Sequence, residues 1–106
     1  MKNNQERINK AVLTAMEDAR REYLDTEMAG LDDSWERLRS CQAWTLVGVG
    51  HWVFLKSYKT IVAAIDADNW VCYDFSRYVY GYTATTCQHI RKFAQQYNAD
   101  VLTYHE

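Results

Sequence analysis

The sequence has no proline, only four glycines and only three cysteines in 106 residues. Without proline no corner is set by a locked φ, so turns must come from Gly, Asn and Asp and from helix ends. Cys41, Cys72 and Cys87 are odd in number and show neither CxxC nor CxxH spacing. That pattern supports neither a disulfide framework nor a zinc site, and small buried hydrophobes in a reducing compartment are the expectation. No run approaches the roughly 20 apolar residues of a membrane span. The start MKNNQERINK leads into a charged amphipathic segment rather than an apolar signal core. A cytoplasmic protein without membrane contact is therefore expected.

A basic excess is also lacking. Residues 1–40 carry seven Lys and Arg against nine Asp and Glu, and the remainder carries five of each. Neither part has the positive charge that sequence-independent phosphate binding needs, which argues against direct nucleic-acid binding. The one biased stretch runs from Glu17 to Glu36, with eight acids and two bases.

What is present is enough apolar and aromatic content, 48% and 14%, for one core in a chain of single-domain length. Ile8, Val12, Met16, Ala19 and Tyr23 recur at spacings of four and three, the stripe of an amphipathic helix. Asn3 or Asn4 can cap its start and Gly30 can end it in a left-handed conformation, so the pattern predicts a helix from about residue 4 to 28. Asp33-Ser34-Trp35-Glu36 has the form of a capping box, predicting a short second helix to Ser40 with Trp35 and Leu38 on one side.

From Ala43 the period changes. β-Branched and aromatic runs broken by Gly48, Gly50 and Asp68-Asn69 predict strands at 43–48, 51–57, 60–66 and 70–75 in meander order. Arg77 to Tyr82 is either a fifth strand or an irregular approach to a C-terminal helix. That helix is marked by Thr85 and Gln88 as a capping box, by Ile90, Phe93, Ala94 and Tyr97 on one face, and by Asn98 as a left-handed exit. Residues 101–105 can add an edge strand. The expected fold is α+β, a single domain over residues 1–106 with an antiparallel meander of four to five strands and the helices on one face.

Few residues suggest chemistry. If residues 77–82 are extended, Tyr78, Tyr80 and Tyr82 share a face, either against the core with hydroxyls at the rim or as an exposed stacking platform. His51, His89 and His105 never stand at the i, i+4 spacing of a helical metal pair, so no metal or cofactor is expected. His89 is expected at a helix edge. Cys87 and His89 are two apart and point about 200° away from each other on a helix, which excludes a thiol dyad there. The acids Glu22, Asp25, Glu27, Asp32, Asp33 and Glu36 straddle the first helix junction without an enclosing cleft. They form either a solvated face, with pairs such as Glu17–Arg21 and Asp18–Arg21, or an acidic surface for the basic groove of a partner.

Ser57-Tyr58, Thr60 and a short apolar strand, followed by a tyrosine-containing segment, Thr85-Thr86, His89-Ile90 and Phe93, resemble a family of small uncharacterised domains from Gram-positive bacteria, their phages and mobile elements. The resemblance covers residues 52–97. It implies a genomic setting rather than a mechanism, one in which small proteins often act by binding a host protein, anti-CRISPR inhibitors among them. The expected function is a non-enzymatic, protein-binding inhibitor of a host defence nuclease such as a CRISPR effector. Its contact residues would be the six acids between Glu22 and Glu36 together with Tyr78, Tyr80 and Tyr82. A small nucleic-acid-binding regulator and an oligomeric structural subunit, monomer or homodimer being open, are the alternatives.

Overall fold

A computed structural model describes residues 2–106, with side chains from Asn4 onward. Helix α1 spans Lys2–Met28, β1 Glu36–Arg37, β2 Ala43–Val47, β3 Trp52–Ser57, β4 Thr60–Asp66, β5 Val71–Asp74, α2 Ser76–Val79, α3 Ala84–Gln96 and β6 Asp100–Thr103. The six strands lie in sequence order in one sheet. Every neighbouring pair is antiparallel except β5 and β6, which are parallel. A parallel pair cannot be joined by a hairpin, and α2 and α3 supply the crossover. The α+β class holds. The expected last strand at 101–105 forms as β6, and its direction follows from that crossover.

The helices divide between the two sides of the sheet rather than sharing one face. Trp52 and Phe54 of β3 pack with Val12, Ala15, Met16 and Ala19 of α1, whereas Val53 and Leu55 pack with Ile90, Phe93 and Ala94 of α3. Side chains alternate along a strand, so a strand covered on both faces reads as a continuous apolar run. Trp52-Val53-Phe54-Leu55 and Val62-Ala63-Ala64-Ile65 are such runs, buried throughout. A register shift lies between Leu55 and Lys56, where Leu55 pairs with Ala63 and Lys56 with Ile61. Val62 is the extra residue of this bulge, so Val62 and Ala63 both join the α3-side core.

Helix α1 stops where glycine permits. Gly30 has φ +73°, its amide donates to the Glu27 carbonyl, and the Leu31 amide returns to the Thr26 carbonyl. The start differs from the expected one, since the helix already includes Asn3 and Asn4, which therefore lie inside it rather than at its cap. Its 27 residues span about 40 Å, which matches the longest dimension of a molecule measuring 42 × 27 × 24 Å. Near its start, Gln5 Nε2 donates to the Thr103 carbonyl at 3.2 Å. Asn9 accepts the His105 amide at 2.9 Å and donates to the His105 carbonyl.

The expected helix at 33–40 does not form. Glu36 and Arg37 instead pair with Thr45 and Trp44 as β1, the sheet edge. Trp35 and Leu38 are separated by an odd number of positions, and in extended chain they part to opposite sides: Trp35 packs toward α1 and Leu38, buried, toward α3. A ladder with β2 thus outcompetes a local capping box. Residues 77–82 are not a strand either. Asp74 Oδ1 accepts the Ser76 amide at 2.9 Å and its hydroxyl at 2.6 Å, which starts the single turn α2, and Gly81 at φ +98° turns the chain out of it. Helix α3 is capped by Thr83, whose hydroxyl accepts the Thr86 amide at 3.1 Å, two residues before the expected Thr85. Asn98, at φ 51°, is the left-handed exit the sequence predicts.

Candidate functional site

The acidic stretch divides once it is folded. Glu22 is drawn inward, its side chain only 10% exposed. Its Oε1 accepts the His51 amide at 2.9 Å and its Oε2 the Trp52 amide at 2.9 Å. Gly48 and Gly50 make room for it, because a Cβ at either position would collide with the Glu22 carboxylate. One turn earlier, Asp18 Oδ2 accepts the Trp52 indole N–H at 2.8 Å. One turn later, Thr26 donates to the Glu22 carbonyl at 2.8 Å and its hydroxyl accepts the Val49 amide at 3.3 Å. Three successive turns of α1 thus fasten the β2–β3 hairpin. Glu22, expected among the partner-binding acids, is a structural anchor with both oxygens in use.

His51, at the tip of that hairpin, is ringed by carboxylates. Asp18 and Asp66 lie 3.7 and 3.8 Å from Nε2, and Glu22 and Asp68 lie 4.0 and 3.9 Å from Nδ1. His51, Asp66 and Asp68 place ligand atoms within 4.8 Å of one another, close enough for one cation to touch all three. Asp66 Oδ1 already accepts the Asp68 amide at 2.9 Å. Nothing in the sequence signals this cluster, since its members come from α1, the β2–β3 turn, the end of β4 and the turn after it. Among the described residues every contact within 4.0 Å between a basic and an acidic side chain involves His51. The expected Glu17–Arg21 and Asp18–Arg21 pairs are therefore absent.

Beyond Glu22 the surface is different. Asp25, Glu27, Asp33 and Glu36 are exposed and Asp32 is half-buried. Between them stand large apolar side chains that nothing covers: Met28 is 86% exposed, and Leu24, Leu31 and Val49 are about half-exposed. Leu24 and Met28 are one turn apart on α1. The Leu31 amide bonds the Thr26 carbonyl and the Val49 amide the Thr26 hydroxyl, so both chains converge on Thr26. Leu24 and Met28 lie on the side of α1 opposite Glu22 and Thr26, which face the β2–β3 hairpin and Val49, so the end of α1 carries exposed apolar side chains interspersed with acids. The acids are conspicuous in the sequence, whereas the exposed apolar residues are marked only by Leu24, Met28 and Leu31 falling off the stripe Ile8, Val12, Met16, Ala19, Tyr23.

The three tyrosines do not form a platform. Tyr78, Tyr80 and Tyr82 are each more than half exposed, so they are not core residues. Helical and turn backbone points them apart: Tyr78 meets Tyr104 edge-on at 5.3 Å, and Tyr82 covers the Arg77 guanidinium at 4.5 Å. Tyr104 precedes His105, which is tied to Asn9. Met28 lies nineteen residues farther along α1 than Asn9, about 28 Å at 1.5 Å per residue. Tyr78 thus lies toward the start of α1, away from the acids at its end.

A serine and a histidine do meet, in the interior. Ser57 Oγ lies 2.9 Å from His89 Nδ1 and 3.2 Å from Thr86 Oγ1. Ser57 is 2% and His89 5% exposed, so no substrate reaches the hydroxyl, and His89 sits inside rather than at the expected helix edge. Burial, and then the nearby Lys92 charge, lower the His89 pKa. The trio joins the end of β3 to α3, and all three residues belong to the motif on which the family resemblance rests. Cys72 is buried and its thiol pKa is pushed up by desolvation and by Asp74, so it is no nucleophile. Among the described residues, no helix is long and apolar enough to cross a membrane.

Residues 1–106 match the model of a family described as a family of unknown function, DUF8033, and the chain belongs to that family. Neither a curated protein nor a solved structure matches the chain.

Proposed function

We propose that this family member is a non-enzymatic protein-binding module that engages its partner through the end of α1 and the adjoining loop. The observation that carries this reading is the exposed apolar pair Leu24 and Met28, one turn apart at the end of α1, with exposed Leu31 in the following loop, among the acids Asp25, Glu27, Asp32 and Asp33. Exposed apolar side chains grouped within a polar border have the composition of a contact surface. The acids Asp25, Glu27, Asp32 and Asp33 outnumber the bases Arg20 and Arg21 one turn before Leu24, and this bias favours as partner an apolar recess flanked by Lys and Arg, since complementary charge steers association and fixes orientation.

A nucleic-acid-binding groove has that chemistry. In the phage and mobile-element setting suggested by the motif around Ser57 and His89, the partner is a host defence nuclease, a CRISPR effector being one such enzyme. The chain then inhibits by occupying the groove in place of nucleic acid. Glu22 has no direct part, and Tyr78, Tyr80 and Tyr82 lie outside the contact.

The test is affinity capture from host lysate with wild-type protein and with Met28→Asp, which replaces the most exposed apolar side chain. A retained nucleic-acid-binding protein, displaced by added DNA and lost with Met28→Asp, is the expected result. Capture unaffected by the substitution contradicts the reading. A dimer in light scattering that dissociates with Met28→Asp would instead assign the surface to a second copy of the chain.

A further inference from the structure

On the α1 side of the sheet lies a cleft of about 540 Å³. Its apolar walls are Tyr23 from α1, Trp35 before β1, Phe54 from β3, Ile61 from β4 and Phe75 before α2. Phe54 and Phe75 are buried, while Tyr23, Trp35 and Ile61 are half-buried and complete the open side. The ring of Tyr23 meets Phe54 edge-on at 5.4 Å and Trp35 at 6.2 Å, so the aromatic wall is continuous.

Three cations border the same cleft, Arg20, Lys56 and Lys59, and no carboxylate lines it. Lys56 Nζ stands 4.2 Å above the centre of the Trp35 ring and 5.9 Å from that of Trp44. Among the described residues none of the three cations has a carboxylate within ion-pair distance. The three cations concentrate positive charge beside an aromatic surface, with Glu27 and Asp32 near Tyr23 at its α1 edge. The volume lies within the range typical of small-molecule sites. Burial, then Glu27 and Asp32, raise the Tyr23 pKa, so its hydroxyl keeps its proton and can donate.

We infer that this cleft binds a small aromatic anion, with the planar ring against Trp35 and Tyr23 and the negative group at Lys56, Lys59 and Arg20. A flat apolar body satisfies the aromatic wall, and an anionic group complements the three cations that border it. A phosphate and a carboxylate supply the same recognition chemistry. The inference is independent of the contact surface at the end of α1.

The experiment titrates the full-length protein, at low salt, with 5′-AMP and with indole-3-acetate, each alongside its neutral counterpart, adenosine or indole. The Trp35 indole resonance reports occupancy. At least one anion is expected to bind at least tenfold more tightly than its counterpart, and the stronger of the two identifies phosphate or carboxylate. Lys56→Met, which keeps the aliphatic stem, and Lys59→Met, at an exposed turn, are each expected to weaken binding at least tenfold with the amide spectrum otherwise retained. Equal affinity for neutral and anionic partners, binding undiminished in the folded Lys59→Met variant, or no shift at Trp35 with either anion overturns the assignment. Preference for a single-stranded oligonucleotide over 5′-AMP overturns it as well, in favour of a strand-binding groove.

Discussion

The carboxylate of Glu22 accepts the backbone amide of Trp52 at 2.9 Å, across thirty positions of sequence. The same group holds the His51 amide, so one side chain satisfies two donors at the start of β3 and fixes the hairpin on α1. Substitution by Gln keeps one acceptor and turns an NH₂ toward the other amide. Glu22→Gln is expected to destabilise the fold by about 1–3 kcal/mol, the cost of an unsatisfied, partly buried donor. Urea unfolding measures this, and a midpoint equal to wild type would remove Glu22 from its anchoring role.

The glycines at 48 and 50 matter because of what occupies the space beside them. A Cβ at Gly50 meets only the Glu22 carboxylate, whereas one at Gly48 also meets Phe54 at 2.9 Å. Gly50→Ala is therefore expected to cost stability in wild type and to cost much less once Glu22 is Ala, while Gly48→Ala stays costly in both backgrounds. A double-mutant cycle separates the cases, with a coupling of about 0.5–3 kcal/mol expected for the Gly50 pair. Additivity at Gly50 would show that the two residues do not share the space.

His89 gives the fold a pH dependence of definite sign. Its pKa is lowered in the folded chain by burial and by Lys92, whereas the unfolded chain titrates near the ordinary value of about 6.5. Below that value the unfolded state binds the proton more readily, so this contribution is present above about pH 6.5 and is lost as pH falls toward the folded pKa. Between pH 7.5 and 5 the thermal midpoint of wild type should drop more than that of His89→Gln. Equal drops would mean that His89 titrates alike in both states.

The cysteines are expected to divide two to one. Cys41 and Cys87 are partly exposed, while Cys72 is fully buried between β4 and β6. An aromatic disulfide reagent should titrate two thiols in the native protein and the third only after denaturation. Rapid reaction of all three would show that β5 opens readily.

Much of this fold can be read from local pattern. The α1 stripe, the stops at Gly30 and Asn98, and the strands around Thr60 to Asp66 and Val71 to Asp74 each express a preference the tertiary structure agrees with. Other features depend on partners distant in sequence. Trp35 to Leu38 carries a helix signal that pairing with Trp44 and Thr45 overrides. The two-sided sheet was written in the unbroken runs of β3 and β4, which fit alternating burial poorly. Nothing near Glu22 distinguishes it from Glu27; the distinction comes from Gly48 and Gly50, which only folding brings beside it. For the same reason the acids stand out in the sequence while Met28, an apolar residue, is conspicuous only once the helix face is known.

The most direct measurement of the central claim is hydrogen exchange of the chain with and without its captured partner. Slower exchange of amides in residues 24–33, with residues 76–82 unchanged, is the predicted result. Protection confined to residues 76–82, or to the strands alone, would contradict the assignment of partner binding to the end of α1.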